Sequence, residues 1–137
     1  MECAFLLYKS RTGVQPRSAE CSDILASARR RNEELHLSGY LHLEDGQFYQ
    51  WLEGPEAALN QVAALIEADP RHYDMTYLWR GTQPQRMFGD WHMGFGSADP
   101  GTLFDWVVRS GVTVGDVAGF ARGLLGFMLA GARQQQG

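Results

Sequence analysis

Cysteine is scarce in this chain. Of 137 residues only Cys3 and Cys21 are cysteines, too few for a disulfide framework or a cysteine-ligated zinc site. Basic charge is also short. Lys plus Arg number 12 against 16 Asp plus Glu, a formal net charge of −4, and Arg29-Arg30-Arg31 is the one dense basic run. A nucleic-acid binder needs a basic excess to meet the phosphates, so direct nucleic-acid binding is not expected. No uncharged apolar run approaches the roughly 18 residues of a membrane span. The histidines His36, His42, His72 and His92 lack metal spacing such as H-E-x-x-H, so no metal is expected. The opening MECAFLLYKSR carries no basic segment ahead of its apolar run and no cleavage-like end, which predicts a cytoplasmic protein without a signal peptide.

What is present suits one globular domain. Hydrophobic residues make up 45% and charged residues 20%, and a chain this long buries about two-thirds of its unfolded surface. Cys3 to Tyr8 is a continuous apolar run, the pattern of a central strand covered on both faces. Past a predicted N-cap at Ser18, residues Cys21, Leu25, Ala28, Asn32 and Leu35 recur on one helix face. Strands are predicted over 38–43 and 47–53, joined through Asp45-Gly46, a hairpin signal. Gly54-Pro55 opens a second helix with Leu59, Val62, Leu65 and Ile66 on its apolar face, closed by Asp69-Pro70. Strands over 73–80 and 87–95 follow, then a short helix after Asp99-Pro100 and a longer one over 113–133 with Thr113 and Asp116 as a capping pair.

This order predicts an α+β fold: a ferredoxin-like βαββαβ sheet with an added fifth strand, two helices on one face and two C-terminal helices on the other. Strand alternation puts Tyr8 and Gln50 on the face the first two helices cover, where Asn32 also points and which Trp91 and Met93 can join. A buried amide left with an unpaired donor or acceptor costs about 1–3 kcal/mol. Two amides and a phenol in one core therefore either find separate backbone or water partners or converge on a planar polar ligand.

The residues resemble a known family. Leu7-Tyr8-Lys9-Ser10-Arg11 resembles the first-strand motif of BLUF domains, blue-light sensors that use flavin. Arg31-Asn32 followed by Leu37-Ser38-Gly39 is similar to the end of their first helix and the start of strand two. Gly46-Gln47-Phe48-Tyr49-Gln50-Trp51-Leu52-Glu53-Gly54-Pro55 is similar to their F-x-Q-x-L-E-G-P signature. Asp69-Pro70-Arg71-His72 and Arg86-Met87-Phe88-Gly89-Asp90-Trp91-His92-Met93 resemble the segment after helix two and the fifth-strand motif. Ser38, Tyr40 and His42 stand where Thr, an aliphatic residue and Tyr are usual, and Leu65 where some members are basic.

The resemblance implies a non-covalently held flavin, FAD with FMN or riboflavin as variants, over residues 1–97, with 98–137 a helical cap of the same domain. It implies that Asn32 hydrogen-bonds the ring edge, that Arg31 lies beside the ring, and that Asp69, Arg71 and His72 line its outer or phosphate side. It implies electron and proton transfer from Tyr8 on illumination and a rearrangement of Gln50. Met93 and Trp91 would relay the change to strand five and the C-terminal helices. A single domain of this kind is expected to signal to a separate partner protein, with a homo-oligomer left open. The competing readings are a flavin-dependent oxidoreductase and a flavin-free ferredoxin-like interaction module. Gly115, Gly119, Gly123 and Gly126 make the last helix intrinsically weak, as backbone close packing or as an output element. Arg29 and Arg30 read as a solvated helix end, and Trp51 as packing on the far face.

Overall fold

The computed structural model describes residues 2–89, 91–109, 111 and 116–136, with the side chain of residue 136 excepted. In chain order the elements are β1 (Cys3–Arg11), α1 (Ala19–Leu35), β2 (Ser38–Glu44), β3 (Gln47–Gly54), α2 (Glu56–Glu67), β4 (Tyr73–Gln83), β5 (Gly94–Ser97), α3 (Thr102–Arg109) and α4 (Val117–Gln136). The strands form one sheet in the order β4-β1-β3-β2-β5. The first four pair antiparallel, as the ferredoxin-like order requires, and β5 adds parallel to β2.

Local chemistry sets the element ends. Ser18 accepts from the Cys21 amide and caps α1, as its sequence position predicts. Asp45 and Gly46 both take positive φ, 51° and 72°, the pair a two-residue turn needs to match the strands' twist. β2, flanked by β3 and β5, is buried along its whole length.

The sheet divides two apolar layers. Under α1 and α2 lie Leu6, Tyr8, Cys21, Ala28, Leu41, Leu52, Val62 and Met93. Under α3 and α4 lie Phe5, Leu7, Tyr40, Trp51, Leu103, Leu124 and Met128. Trp51 is wholly buried on that far side and stacks on Phe5 with centroids 4.6 Å apart, a packing role worth about 3 kcal/mol or more.

Two expectations change and two are refined. Leu65 is 52% exposed and Ala63 buried instead, because 59, 62, 63 and 66 are the positions that share one face of α2. Strand five begins at Gly94 rather than at 87. The cause is Glu53: its carboxylate takes the Met87 and Phe88 amides at 2.7 and 2.9 Å, so these cannot enter a ladder. The Arg86 guanidinium meanwhile donates to Ser38 Oγ and the His36 carbonyl, tying this segment to the start of β2. Asp116 caps α4, its Oδ1 taking the Gly119 amide at 2.9 Å; Thr113 and Gly115 lie outside the described residues. Finally, Arg29 is solvent-exposed, as expected, and its Nε also donates to the Met93 carbonyl at 3.0 Å.

A buried ion-pair candidate links the sheet to α3. His42 Nε2 and Glu44 Oε1 are 2.9 Å apart, with His42 2% and Glu44 6% exposed. Both Glu44 oxygens also take the Leu103 amide at the start of α3. Burial pushes the His42 imidazole below its ordinary 6.5, with Glu44 pulling the other way. Below 6.5 the unfolded chain therefore binds a proton that the folded chain resists, so stability falls as pH falls, by at most about 1.4 kcal/mol per pH unit. Urea titrations at about pH 7.5 and 5.5 should show this loss, and His42→Gln should reduce it. Equal pH slopes in the two proteins would contradict the assignment.

Candidate functional site

Strands β1 and β3, helix α1 and the segments that follow α2 and precede β5 bring the site residues together. Tyr8 sits mid-strand on β1 directly opposite Gln50 on β3, so their side chains leave the sheet side by side toward α1 and α2. The Tyr8 hydroxyl donates to Gln50 Oε1 at 2.5 Å. Gln50 Nε2 in turn points at the Met93 sulfur, 3.6 Å away. All three are buried, at 3%, 4% and 3% exposure. The result is a directional chain, phenol to amide oxygen and amide nitrogen to thioether.

Burial raises the Tyr8 hydroxyl far above an ordinary tyrosine. Nearby Arg31 lowers it in part, while Asp69 and Tyr77 raise it further. Tyr8 is therefore a neutral proton donor at any working pH.

A cavity of about 60 Å³ opens beside this chain, lined by Tyr8, Gln50, Arg31, Asp69, Arg71 and His72 among others. Six of the predicted site residues thus share one cleft between α1 and α2. Asp69 and Arg71 hold each other in a salt bridge, 2.6 Å at its shortest, which keeps the Asp69 carboxyl below and the Arg71 guanidinium above their usual values. His72 has both ring nitrogens engaged, Nδ1 with Ser10 Oγ at 2.7 Å and Nε2 with the Ile66 carbonyl at 2.5 Å. Since a carbonyl only accepts, Nε2 carries the proton. His72 shapes the wall; its nitrogens are not free for a ligand.

Asn32 is fully buried on the same side but does not line that cavity. Its Nδ2 donates to the His92 carbonyl at 2.6 Å. Its Oδ1 has no hydrogen-bond partner among the described residues, and neither has Arg31 Nε. An amide oxygen and a guanidinium N–H left bare in a protein interior are costly unless a ligand completes them. An imide edge, donor between two acceptors, fits the Asn32 amide, and a planar ring carbonyl fits Arg31 and Gln50. On this test the residues suit a flavin.

Trp91 departs from expectation. Its ring packs with Tyr40 and Phe88 in the layer under α3 and α4, not with Tyr8 and Gln50. Both 91 and 93 precede β5, which begins at Gly94, so strand alternation does not govern which way they face. The sequence shows Glu53 only as the glutamate of the signature segment, with no sign of the amides it accepts from, and Arg29 only as a solvated residue, with no sign of its bond to the Met93 carbonyl.

Comparison with known proteins gives the same direction. The family model "Sensors of blue-light using FAD", BLUF, matches residues 4–94. A photoactivated adenylate cyclase subunit beta of Euglena longa is 42% identical over 66 residues, 48% of this chain and 8% of that protein. The blue light- and temperature-regulated antirepressor BluF of Escherichia coli K12 is 32% identical over 84 residues, 61% of this chain and 21% of that protein. The chain therefore spans less than a quarter of these relatives' length. The dark-state structure of the BLUF protein BlrB superposes with a TM-score of 0.73 at 29% identity, covering 91% of this chain and 96% of that one. The photo-activated state of BlsA, at 22% identity and a TM-score of 0.76, shares the fold. With the motif residues gathered in one cleft and the match covering most of the chain, this protein belongs to the BLUF family of flavin-using blue-light sensors.

Proposed function

We propose that this chain binds FAD without a covalent bond in the α1–α2 cleft, switches through Tyr8 and Gln50, and passes the change to a separate partner protein in the cytoplasm rather than turning over a substrate. The observation that carries it is the buried Tyr8–Gln50–Met93 chain, with the unpartnered Asn32 Oδ1 on the same side of the sheet. When bound, the flavin supplies blue-light absorption and a transient demand for an electron.

The residues account for the rest. Tyr8 holds a proton at its hydroxyl with Gln50 Oε1 as acceptor. A primary amide reversed end for end occupies the same volume but exchanges donor for acceptor. After reversal Gln50 would present Nε2 to Tyr8 and Oε1 to Met93, so the Tyr8 contact reverses direction and the bond to the Met93 sulfur, which can only accept, is lost, with little change of volume. Arg31 and Asn32 would hold the ring, with Asp69 and Arg71 at the outer wall. The narrowness of the cleft implies that α1 and α2 part slightly around a tricyclic ring. Met93 is the relay nearest Gln50, and Trp91 would act from the opposite layer.

The relatives' names associate this domain with an adenylate cyclase and with an antirepressor; a partner effector is the reading they favour here too. No described helix is long and apolar enough to cross a membrane. Denaturing the purified protein and chromatographing the released pigment tests the cofactor. FAD in near-equal amount to protein is expected. FMN or riboflavin would overturn the choice of flavin, and a colourless protein that takes up no flavin would overturn the reading altogether.

A further inference from the structure

On the face away from the cleft, the end of α4 is tied to strand five by one side chain. Gln135 Nε2 donates to the Phe95 carbonyl at 2.8 Å and to the Tyr40 hydroxyl oxygen at 3.0 Å. Tyr40 is buried on β2 and stacks on Phe88. Its hydroxyl reaches the surface through a slot that β5 and α4 leave open by lacking side chains. A Cβ at Gly96 would stand 2.4 Å from that oxygen, and one at Gly131 would stand 2.8 Å from it. Burial raises the Tyr40 hydroxyl, so it stays a phenol able to accept from the Gln135 amide.

This tie lies in register with the switch. Across the sheet, Leu41 of β2 is flanked by Gln50 of β3 and Phe95 of β5. Phe95 is also two residues beyond Met93, whose sulfur takes the Gln50 amide. A change at Gln50 therefore reaches the Phe95 carbonyl by two short routes, laterally through the ladder and along β5. Gln135 itself is exposed, so water competes for its amide. Such a bond is reversible, as a device set by a small shift must be.

We propose that Gln135 is a latch that fastens α4 to β5 in the dark and lets go when strand five shifts. The proposal rests on the reading that Gln50 rearranges in light and names the contact through which that rearrangement leaves the domain. Release frees the last turns of α4, whose Leu129 and Ala132 line a groove with Phe88 and Trp91.

Amide hydrogen exchange on the full chain, dark and lit, tests it with Gln135→Ala and, because that variant could act through helix fraying, with Tyr40→Phe, which keeps the ring. In the dark Gln135→Ala should speed exchange over residues 94–97 and 129–135 toward the lit wild-type level, and Tyr40→Phe, which keeps the bond to the Phe95 carbonyl, should speed it part of the way. Light should then add correspondingly less in the variants. Their dark absorption and the size of their red shift should match wild type, while recovery from the lit state slows about two- to tenfold, the worth of one hydrogen bond. Unchanged dark exchange in both variants beside a normal red shift overturns the latch alone. A wild type with no light response removes the sensor reading and the latch's regulatory role together, and faster dark exchange in the variants would then mark Gln135 as structural only.

Discussion

Replacing Tyr8 by Phe is expected to abolish the light-induced red shift while the protein stays yellow. The ring remains buried in the same layer, so the cost to stability is that of one lost hydrogen bond, about 1 kcal/mol. What disappears is the hydroxyl that donates to Gln50 Oε1 and the only group in that contact with a proton and an electron to give. Gln50→Ala removes the other half and should give the same spectral result. Tyr77 offers an internal control. It lines the same layer, and its hydroxyl is tied to Glu67 at 2.5 Å and pushed up to about 12, by burial first and then by that carboxylate. Tyr77→Phe should leave the shift intact. A normal shift in Tyr8→Phe, or its loss in Tyr77→Phe, would show that the geometry has been read on the wrong phenol.

Glu53→Ala is expected to lower stability by about 3–5 kcal/mol, the largest effect of any single substitution proposed here. The carboxylate is completely buried and accepts five hydrogen bonds. Oε1 takes Trp51 Nε1, Gln83 Nε2 and the Met87 amide; Oε2 takes the Ser38 hydroxyl and the Phe88 amide. Alanine strands all of these donors in a closed interior and loosens the segment that delivers the His92 carbonyl and Met93 to the site. Glu53→Gln keeps one acceptor oxygen but turns an NH₂ toward the remaining donors, so it should fall between wild type and alanine. Urea unfolding curves read this directly. A loss under about 1 kcal/mol for alanine would mean that water replaces the carboxylate, contrary to its burial.

The sequence was most legible where period and capping decide. Ser18, Asp45-Gly46 and the paired alternation of β1 and β3 put Tyr8 and Gln50 side by side without any coordinates. It was least legible from 86 to 93. The letters there read as a strand, but the competing acceptor for the Met87 and Phe88 amides is a carboxylate more than 30 residues earlier, and no local pattern reveals a partner at that distance. The exchange of Trp91 to the far layer follows from the same cause. Leu65 was misplaced because the helix face was drawn through the larger residue, when position 63, an alanine, held the inward place. Gln135, one of three consecutive glutamines, carries a long-range tie for which neither composition nor periodicity gives a signal.

The central claim is a reversible change of hydrogen bonding at Gln50, driven by blue light. The light-minus-dark absorption spectrum of the purified wild-type protein tests it most directly. A red shift of the flavin band should form on illumination, reverse fully in the dark, and be missing in Gln50→Ala with its flavin still bound. A flavin-loaded protein that bleaches, or shows no shift at all, would contradict it.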